Sequence, residues 1–275
     1  MRVLKLWRLY AWMDLTWILQ DPITAVTYFI SDLFVNLTLV VGALLLAERF
    51  DGIGSWSRDQ VVFMLGYAIL VRGIVDGIFG FNIAFISRRI GRGQLDHVLI
   101  QPQSFWLALL VDGFTPFSGL TATLPGLVLM VLAGQRLSIE VSPGWLGLFG
   151  ANVLGSLGVI LAFSFLWGSL AFWSPRGAEE ISSSAMRMID QLKPFPLDGV
   201  APLLLGGLLT VVPAGFVAWY PVRALLGIAA PLPTGLVTPA AALGFLALTI
   251  LVYRKGMRHY GYTGSQRYHS MGHRR

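Results

Sequence analysis

The stretch GWLGLFGANVLGSLGVILAFSFLWGSLAFW, residues 144–173, runs for 30 residues without a charged side chain. About 20 consecutive apolar residues suffice to cross a hydrocarbon core of roughly 30 Å as a helix. The stretch therefore reads as a membrane span. Working outward from it, residues 23–47, 60–86, 105–133 and 236–253 have the same character. Composition agrees: of 275 residues, 55% are hydrophobic and 12% charged, against about 25% charged in an average soluble domain. A soluble fold of this size could not hide so much apolar surface. The expectation is an all-α integral membrane protein, one domain over 1–275, crossing the bilayer about six times.

The segments between these runs carry the rest of the organisation. In residues 1–20, Arg2, Lys5 and Arg8 recur every third position while Val3, Leu4, Leu6, Trp7, Tyr10 and Met13 fill the other sides. That is an amphipathic helix lying in the headgroup layer, the alternative being a frayed first turn of span one. Asp14 interrupts the apolar stretch and no small-residue cleavage site follows, so no cleaved signal peptide is expected. Pro116 and Pro125 are expected to bend span three. In span four, Gly147, Ala151 and Gly155 fall four residues apart, a small-residue face that permits close helix packing. Residues 177–196 contain Glu179, Glu180, Arg187, Asp190 and Lys193 and admit two readings. Either they form a loop and 199–220 is span five, or they form a polar span facing protein. In the second case 199–228, broken by Pro213 and Pro221, is a pair of half-helices that dips in and returns, tolerated at membrane depth only where protein or water covers the backbone. A basic tail follows at 254–275.

Charge placement sets the orientation. With the N-terminus in the cytoplasm, that side holds Arg2, Lys5, Arg8, Arg88, Arg89, Arg92, Arg176, Arg254, Lys255 and Arg258, and the outer loops keep Arg49, Arg58, Arg136 and Arg223. The positive-inside rule then places both termini in the cytoplasm. The net charge of +6 reports this orientation rather than nucleic-acid binding. There is no cysteine, hence no disulfide or thiolate chemistry. His97, His259, His269 and His273 all fall in cytoplasmic segments, so no span carries a histidine for proteolysis or metal ligation. No G-x-x-x-x-G-K-[ST] sequence is present, so ATP is not bound through a P-loop on this chain.

Ionisable residues within spans cost about 2.5–3.5 kcal/mol each on insertion scales and are functional candidates by default. These are Asp32 in span one, Arg72 and Asp76 in span two, and Asp112 in span three. Arg72 and Asp76 are four apart on one helix and can pair, as a structural ion pair or as part of a polar cavity. Asp32 has no partner nearby in sequence and is the stronger cavity candidate. Between spans two and three, ISRRIGRGQLDHVLIQPQS (86–104) opens with Arg88, Arg89 and Arg92; Asp96 follows Arg92 by four, and Ile90, Leu95, Val98 and Leu99 form an apolar side. This is either a short amphipathic helix suited to docking a partner on the cytoplasmic side, or an ordinary basic turn.

Three segments resemble a known family. IGRGQLDHVLIQP (90–102) is similar to the pattern I-x-x-G-E-L-D-x-x-L-L-x-P, departing at Gln94 and Gln101. PFPLDGVAPLLLGGLLTVVPAGFVAWYPVRALLG (194–227) is similar to Y-P-L…V-I-P-x-A-F-x-x-Y-P-x-x-x-L-L-G, and RKGMRHYGYTGS (254–265) to R-x-G-L-R-x-Y-x-x-x-G-S. The family is that of the membrane-spanning permease subunits of bacterial type-two ATP-binding-cassette exporters. The resemblance implies an N-terminal elbow helix at 1–20, a coupling helix at 88–101 seated on an ATPase, and an outer re-entrant hairpin at 197–228 containing Pro213 and Pro221. That arrangement favours 177–196 as span five, with spans one to four in 23–173 and five and six in 177–253. It assigns Arg88, Arg92, Leu95, Asp96, Val98 and Leu99 to ATPase docking, with Leu95 and Leu99 as anchors. It further implies two copies of a separate ATPase chain carrying ATP and magnesium, a second permease, identical or related, and an inner (plasma) membrane location among lipids. No cofactor or bond chemistry falls to this chain. An ion- or proton-coupled secondary transporter using Asp32, Arg72 and Asp76, or a membrane enzyme working through carboxylates, is the alternative; the first usually shows internal repeats, and none is visible.

Overall fold

In the computed structural model, residues 2–49, 55–84, 86–102, 104–228 and 234–264 are described. Among these the regular elements are all helices: α1 (Arg2–Gln20), α2 (Pro22–Arg49), α3 (Arg58–Ala84), α4 (Ile86–Gly91), α5 (Leu95–Leu99), α6 (Phe105–Val111), α7 (Leu120–Arg136), α8 (Pro143–Gly168), α9 (Pro175–Leu192), α10 (Pro202–Thr210), α11 (Trp219–Leu225) and α12 (Val237–Thr263). Short 3₁₀ turns follow α8 and α10 and precede α12.

The starts of these helices are written locally. Pro22 opens α2, where its missing N–H costs nothing, and the Asp21 carboxylate accepts the Thr24 N–H at 3.1 Å. Ahead of α3, the Ser57 N–H reaches Gln60 Oε1 at 2.9 Å and the Gln60 N–H reaches Ser57 Oγ at 3.4 Å, a reciprocal capping box. Ser142 caps α8 by accepting the Trp145 N–H at 3.1 Å, with Pro143 at the first helical position.

Among the described residues, four helices are long and apolar enough to cross a membrane: α2, α3, α8 with its 3₁₀ turn, and α12; α10 and the helix after it, bent by 71°, make a fifth if counted as one span. The protein is therefore multi-pass. Three expectations change. The third apolar run is not one bent span: α6 ends at Val111, residues 112–119 form turns, and α7 begins at Leu120. Pro116 lies in this break, while Pro125 sits inside α7 without ending it. The single helix expected over 88–101 is two, α4 and α5, separated by a tight turn with Gly93 at φ 69°. Finally, the sixth run does not stop at 253, because α12 carries the first residues of the basic tail as helix out to Thr263.

The core is built on close backbone contact between α3 and α7. A Cβ added at Gly73 would lie 2.4 Å from the Thr123 nitrogen, and one at Gly126 would lie 2.4 Å from the Leu70 nitrogen, so glycine alone fits both positions. The small-residue face expected along α8 is shorter than the spacing suggested. Gly147 faces open space, whereas Gly155 abuts Thr238 and Pro239, and Gly158 abuts Ala242, both against α12. Thr249 Oγ1 of α12 donates to the Ala162 carbonyl at 2.8 Å across the same interface.

The bundle has two chemically distinct ends. One gathers Trp56, Arg136, Trp145, Asp198, Trp219 and Arg223; the other gathers the arginines of α4, the start of α9 and the last turns of α12. The chain from Pro175 to Asp198 joins them. At its start Glu179 pairs with Arg88 and Arg92, and at its finish Asp198 accepts the Trp56 indole N–H. The 18 residues of α9 extend about 27 Å at the α-helical rise. Ser182, Ala185, Met186 and Ile189 of α9 are buried while Glu180, Arg187 and Asp190 are exposed, the spacing of one helix face.

Candidate functional site

The arginine end is a clasped turn. Arg88 Nε donates to Glu179 Oε1 at 2.7 Å and Arg92 donates to the same oxygen at 3.1 Å, so one carboxylate from α9 holds α4 and the turn that follows it. Arg89 is paired with Asp112, at the C-terminus of α6. Tyr10 of α1 stands against this pair: burial raises its phenol above the ordinary value, Asp112 adds to the rise and Arg89 opposes it. Asp96 of α5 accepts the Tyr260 hydroxyl of α12 at 2.5 Å. Asp112, expected within a span, thus belongs to the clasp, and Arg92 and Asp96, four apart in sequence, find different partners, Glu179 and Tyr260.

The apolar side of this region is turned inward. Ile90, Leu95 and Val98 are buried in a cluster with Ala108, Leu109, Phe172, Tyr253 and Tyr260, and Leu95 is 0% exposed. Phe172 meets the Tyr253 and Tyr260 rings edge-on at centroid distances of 5.3 and 5.8 Å. Leu95 and Val98, assigned to docking, therefore pack within the chain itself. What α5 presents outward is His97, Leu99 and Ile100, the last two 44% and 79% exposed.

A second polar region lies within the bundle. Arg72 sits between two carboxylates, 3.8 Å from Asp32 and 3.4 Å from Asp76. Asp32 also accepts the Asn36 side-chain amide at 3.3 Å. Asp32 is thus not alone, as its sequence neighbourhood suggested; its partner comes from another helix. These groups line a cavity of about 310 Å³ between α2 and the α3–α7 pair, with Trp17, Tyr28, Thr115, Ser118 and Thr121 among its other walls.

The cavity floor depends on a backbone break. Gly80 has φ 57° and ψ 178° inside α3, which interrupts the i→i−4 ladder. Thr115 collects the freed carbonyls: its N–H donates to Gly77 O at 2.8 Å and its hydroxyl to Asp76 O at 3.3 Å. A Cβ at Gly80 would lie 2.4 Å from the Gly113 carbonyl oxygen, so the break in α3 and the break between α6 and α7 interlock. Asp14, 6% exposed, completes the joint from α1: it accepts the Phe117 and Ser118 N–H groups at 2.8 and 3.0 Å and the Ser118 hydroxyl at 2.5 Å. Sequence reading saw Asp14 only as an interruption; its partners lie about a hundred residues away, so no local pattern points to them.

The tryptophan end has a comparable hub. Asp198 accepts the indole N–H groups of Trp56 and, at 2.6 Å, Trp219, and pairs with Arg223 at 3.3 Å; the Arg223 guanidinium also lies 4.9 Å from the Trp219 ring centroid. Asp198 precedes α10 and Arg223 lies near the end of α11, so the segment between them leaves and returns to one place. Pro213 sits in the break. Pro221, expected to break the segment as well, occupies the first turn of α11, where proline is tolerated.

No curated protein and no solved structure matches the chain. The family model described as "ABC-2 family transporter protein" matches residues 33–264, from Leu33 in α2 through the end of α12. That match takes in the clasped arginine turn, the folded-back segment and the Asp76–Arg72 pair together, and by it the chain belongs to the ABC-2 family of membrane transporters.

Proposed function

We propose that this chain is the permease subunit of an ATP-driven exporter, moved by a separate ATP-hydrolysing chain that docks at the arginine end. The observation that carries the reading is the outward tip of α5. Leu99 and Ile100 are exposed on a turn held to α9 by Glu179 and to α12 by Asp96, so force on the tip reaches two long helices. Two ATPase copies, bearing ATP and magnesium, and a second permease complete the assembly. Asp32, Arg72 and Asp76 face the substrate path.

In this reading α2, α3, the α6–α7 pair, α8, α9 and α12 make six crossings. The meeting of Asp198 and Arg223 supports a re-entrant hairpin on the outer side, and the run of 175–198 from one end to the other supports α9 as a polar fifth span. The positive-inside rule puts the arginine end and both termini in the cytoplasm of a bacterial inner membrane, and α1, with Lys5 and Arg8 exposed, lies along that surface. Affinity purification of the tagged chain from its native membrane in mild detergent tests the reading. An ATP-hydrolysing chain should co-purify, and its activity should be lost on washing the two apart. A chain that purifies alone and moves solute with an ion gradient only would contradict it.

A further inference from the structure

We infer that the cavity around Arg72 is a binding site for a cationic amphiphile, with a protonated amine as the recognised group. The inference names a substrate class for the permease proposed above and rests on that reading only for the word substrate. Its first support is charge. With all three groups ionised, Asp32, Arg72 and Asp76 sum to −1, and Arg72 is the sole cation among the described lining residues. The Asp190–Lys193 pair, closed on itself at 2.6 Å, is near enough to act on Asp76 but adds no net charge.

The second support is a donor and acceptor count. The hydroxyl hydrogens of three lining residues are already committed within the protein: Thr115 to Asp76 O, Ser118 to Asp14, and Thr121 to Ser118 O at 3.0 Å. Toward the cavity these groups have only lone pairs left. The two carboxylates are held at 3.4 and 3.8 Å by a single guanidinium, longer than close charge-assisted bonds of about 2.7–2.9 Å, so both retain acceptor capacity. An ammonium group brings three donors and no acceptor, the complement of this lining. An anion would meet these acceptors, the lining's side-chain donors being Arg72, the Trp17 indole and the Tyr28 hydroxyl.

The third support is position. Asp32 is ten residues into α2, about 15 Å along the helix from Pro22, and Trp17 and Tyr28 wall the cavity at the α1–α2 corner with ring centroids 6.5 Å apart. Aromatic faces beside a carboxylate suit a cation with an apolar tail.

Octylamine, which is protonated at neutral pH, is the probe. The full-length chain in lipid nanodiscs, without ATPase, is titrated with radiolabelled octylamine, with empty nanodiscs as the baseline. Saturable binding is expected, displaced by unlabelled octylamine and not by octanoate or octanol. Asp76→Asn and Asp32→Asn should each weaken it about tenfold or more, and Arg72→Gln, which removes the opposing charge, should strengthen it. Should the carboxylate variants fail to purify, Trp17→Ala and Tyr28→Leu decide, each expected to weaken binding about threefold or more. No saturable binding above empty nanodiscs, equal displacement by octanoate, or unchanged affinity in the variants would overturn the inference. Since the assay contains no ATPase, such a failure would leave the permease reading standing.

Discussion

At the residue scale, two single positions separate structural from docking roles. Leu95 and Leu99 are four apart on one short helix, yet Leu95 is fully buried against Tyr260 and Phe172 while Leu99 is 44% exposed. Leu95→Ala should therefore destabilise the permease by about 2–5 kcal/mol, the range for emptying a packed leucine site, and thermal unfolding in detergent would show it. Leu99→Ala should leave the unfolding temperature within a degree or two. Equal shifts for both would mean that α5 is not seated as described. Asp14 offers a second test. Its carboxylate takes three hydrogen bonds from Phe117 and Ser118, so Asp14→Ala leaves two backbone donors without their acceptor. The expected cost is about 2–3 kcal/mol, against a smaller cost for Asp21→Ala, which loses one exposed helix-cap bond to the Thr24 N–H.

At the element scale, the decisive features are two chain breaks that lock into each other and one segment that folds back. Gly80→Ala puts a side chain at φ 57° and drives its Cβ into the Gly113 carbonyl. A few kcal/mol of strain follows, so expression should drop sharply while Gly244→Ala, in open space on α12, is tolerated. For the folded-back segment, cysteines at Val200 and Ile228 should react with an impermeant thiol reagent from the same side of sealed cells. Reaction from opposite sides would make α10 and α11 one crossing. Much of this architecture was legible in the sequence. The apolar runs placed α2, α3, α8 and α12 because length and hydropathy are local properties. The breaking of 199–228 was open to the sequence as one of two readings, and the meeting of Asp198 with Arg223 now supports it. What was not legible depends on distant partners. The break at 112–119 exists because Asp14, Gly80 and Thr115 supply hydrogen bonds and space for it. The inward face of α5 has the same spacing whether it packs on a partner or on α12, so periodicity alone could not assign it. For the cavity, Asp32 was singled out as a charge within an apolar run, but its pairing with Arg72 required knowing that α2 lies against α3.

At the scale of the whole molecule, the proposed docking end and the proposed binding cavity belong to one connected bundle. The connecting parts are α9 and α12, tied to the arginine turn through Glu179 with Arg88 and Arg92, and through Tyr260 with Asp96. Glu179→Gln keeps the shape but removes the negative charge that faces Arg88 and Arg92, so transport should fall more than ATPase retention does. The most informative measurement is on the tip itself. The double variant Leu99→Asp with Ile100→Asp is made in the tagged chain and purified alongside wild type. Because both side chains are exposed, insertion and thermal stability should match wild type while the co-purified ATPase falls by about tenfold or more, as truncating two interface anchors would produce. A double variant that is stable and retains its ATPase at wild-type levels would contradict docking at the arginine end, and with it the route by which ATP hydrolysis reaches the spans.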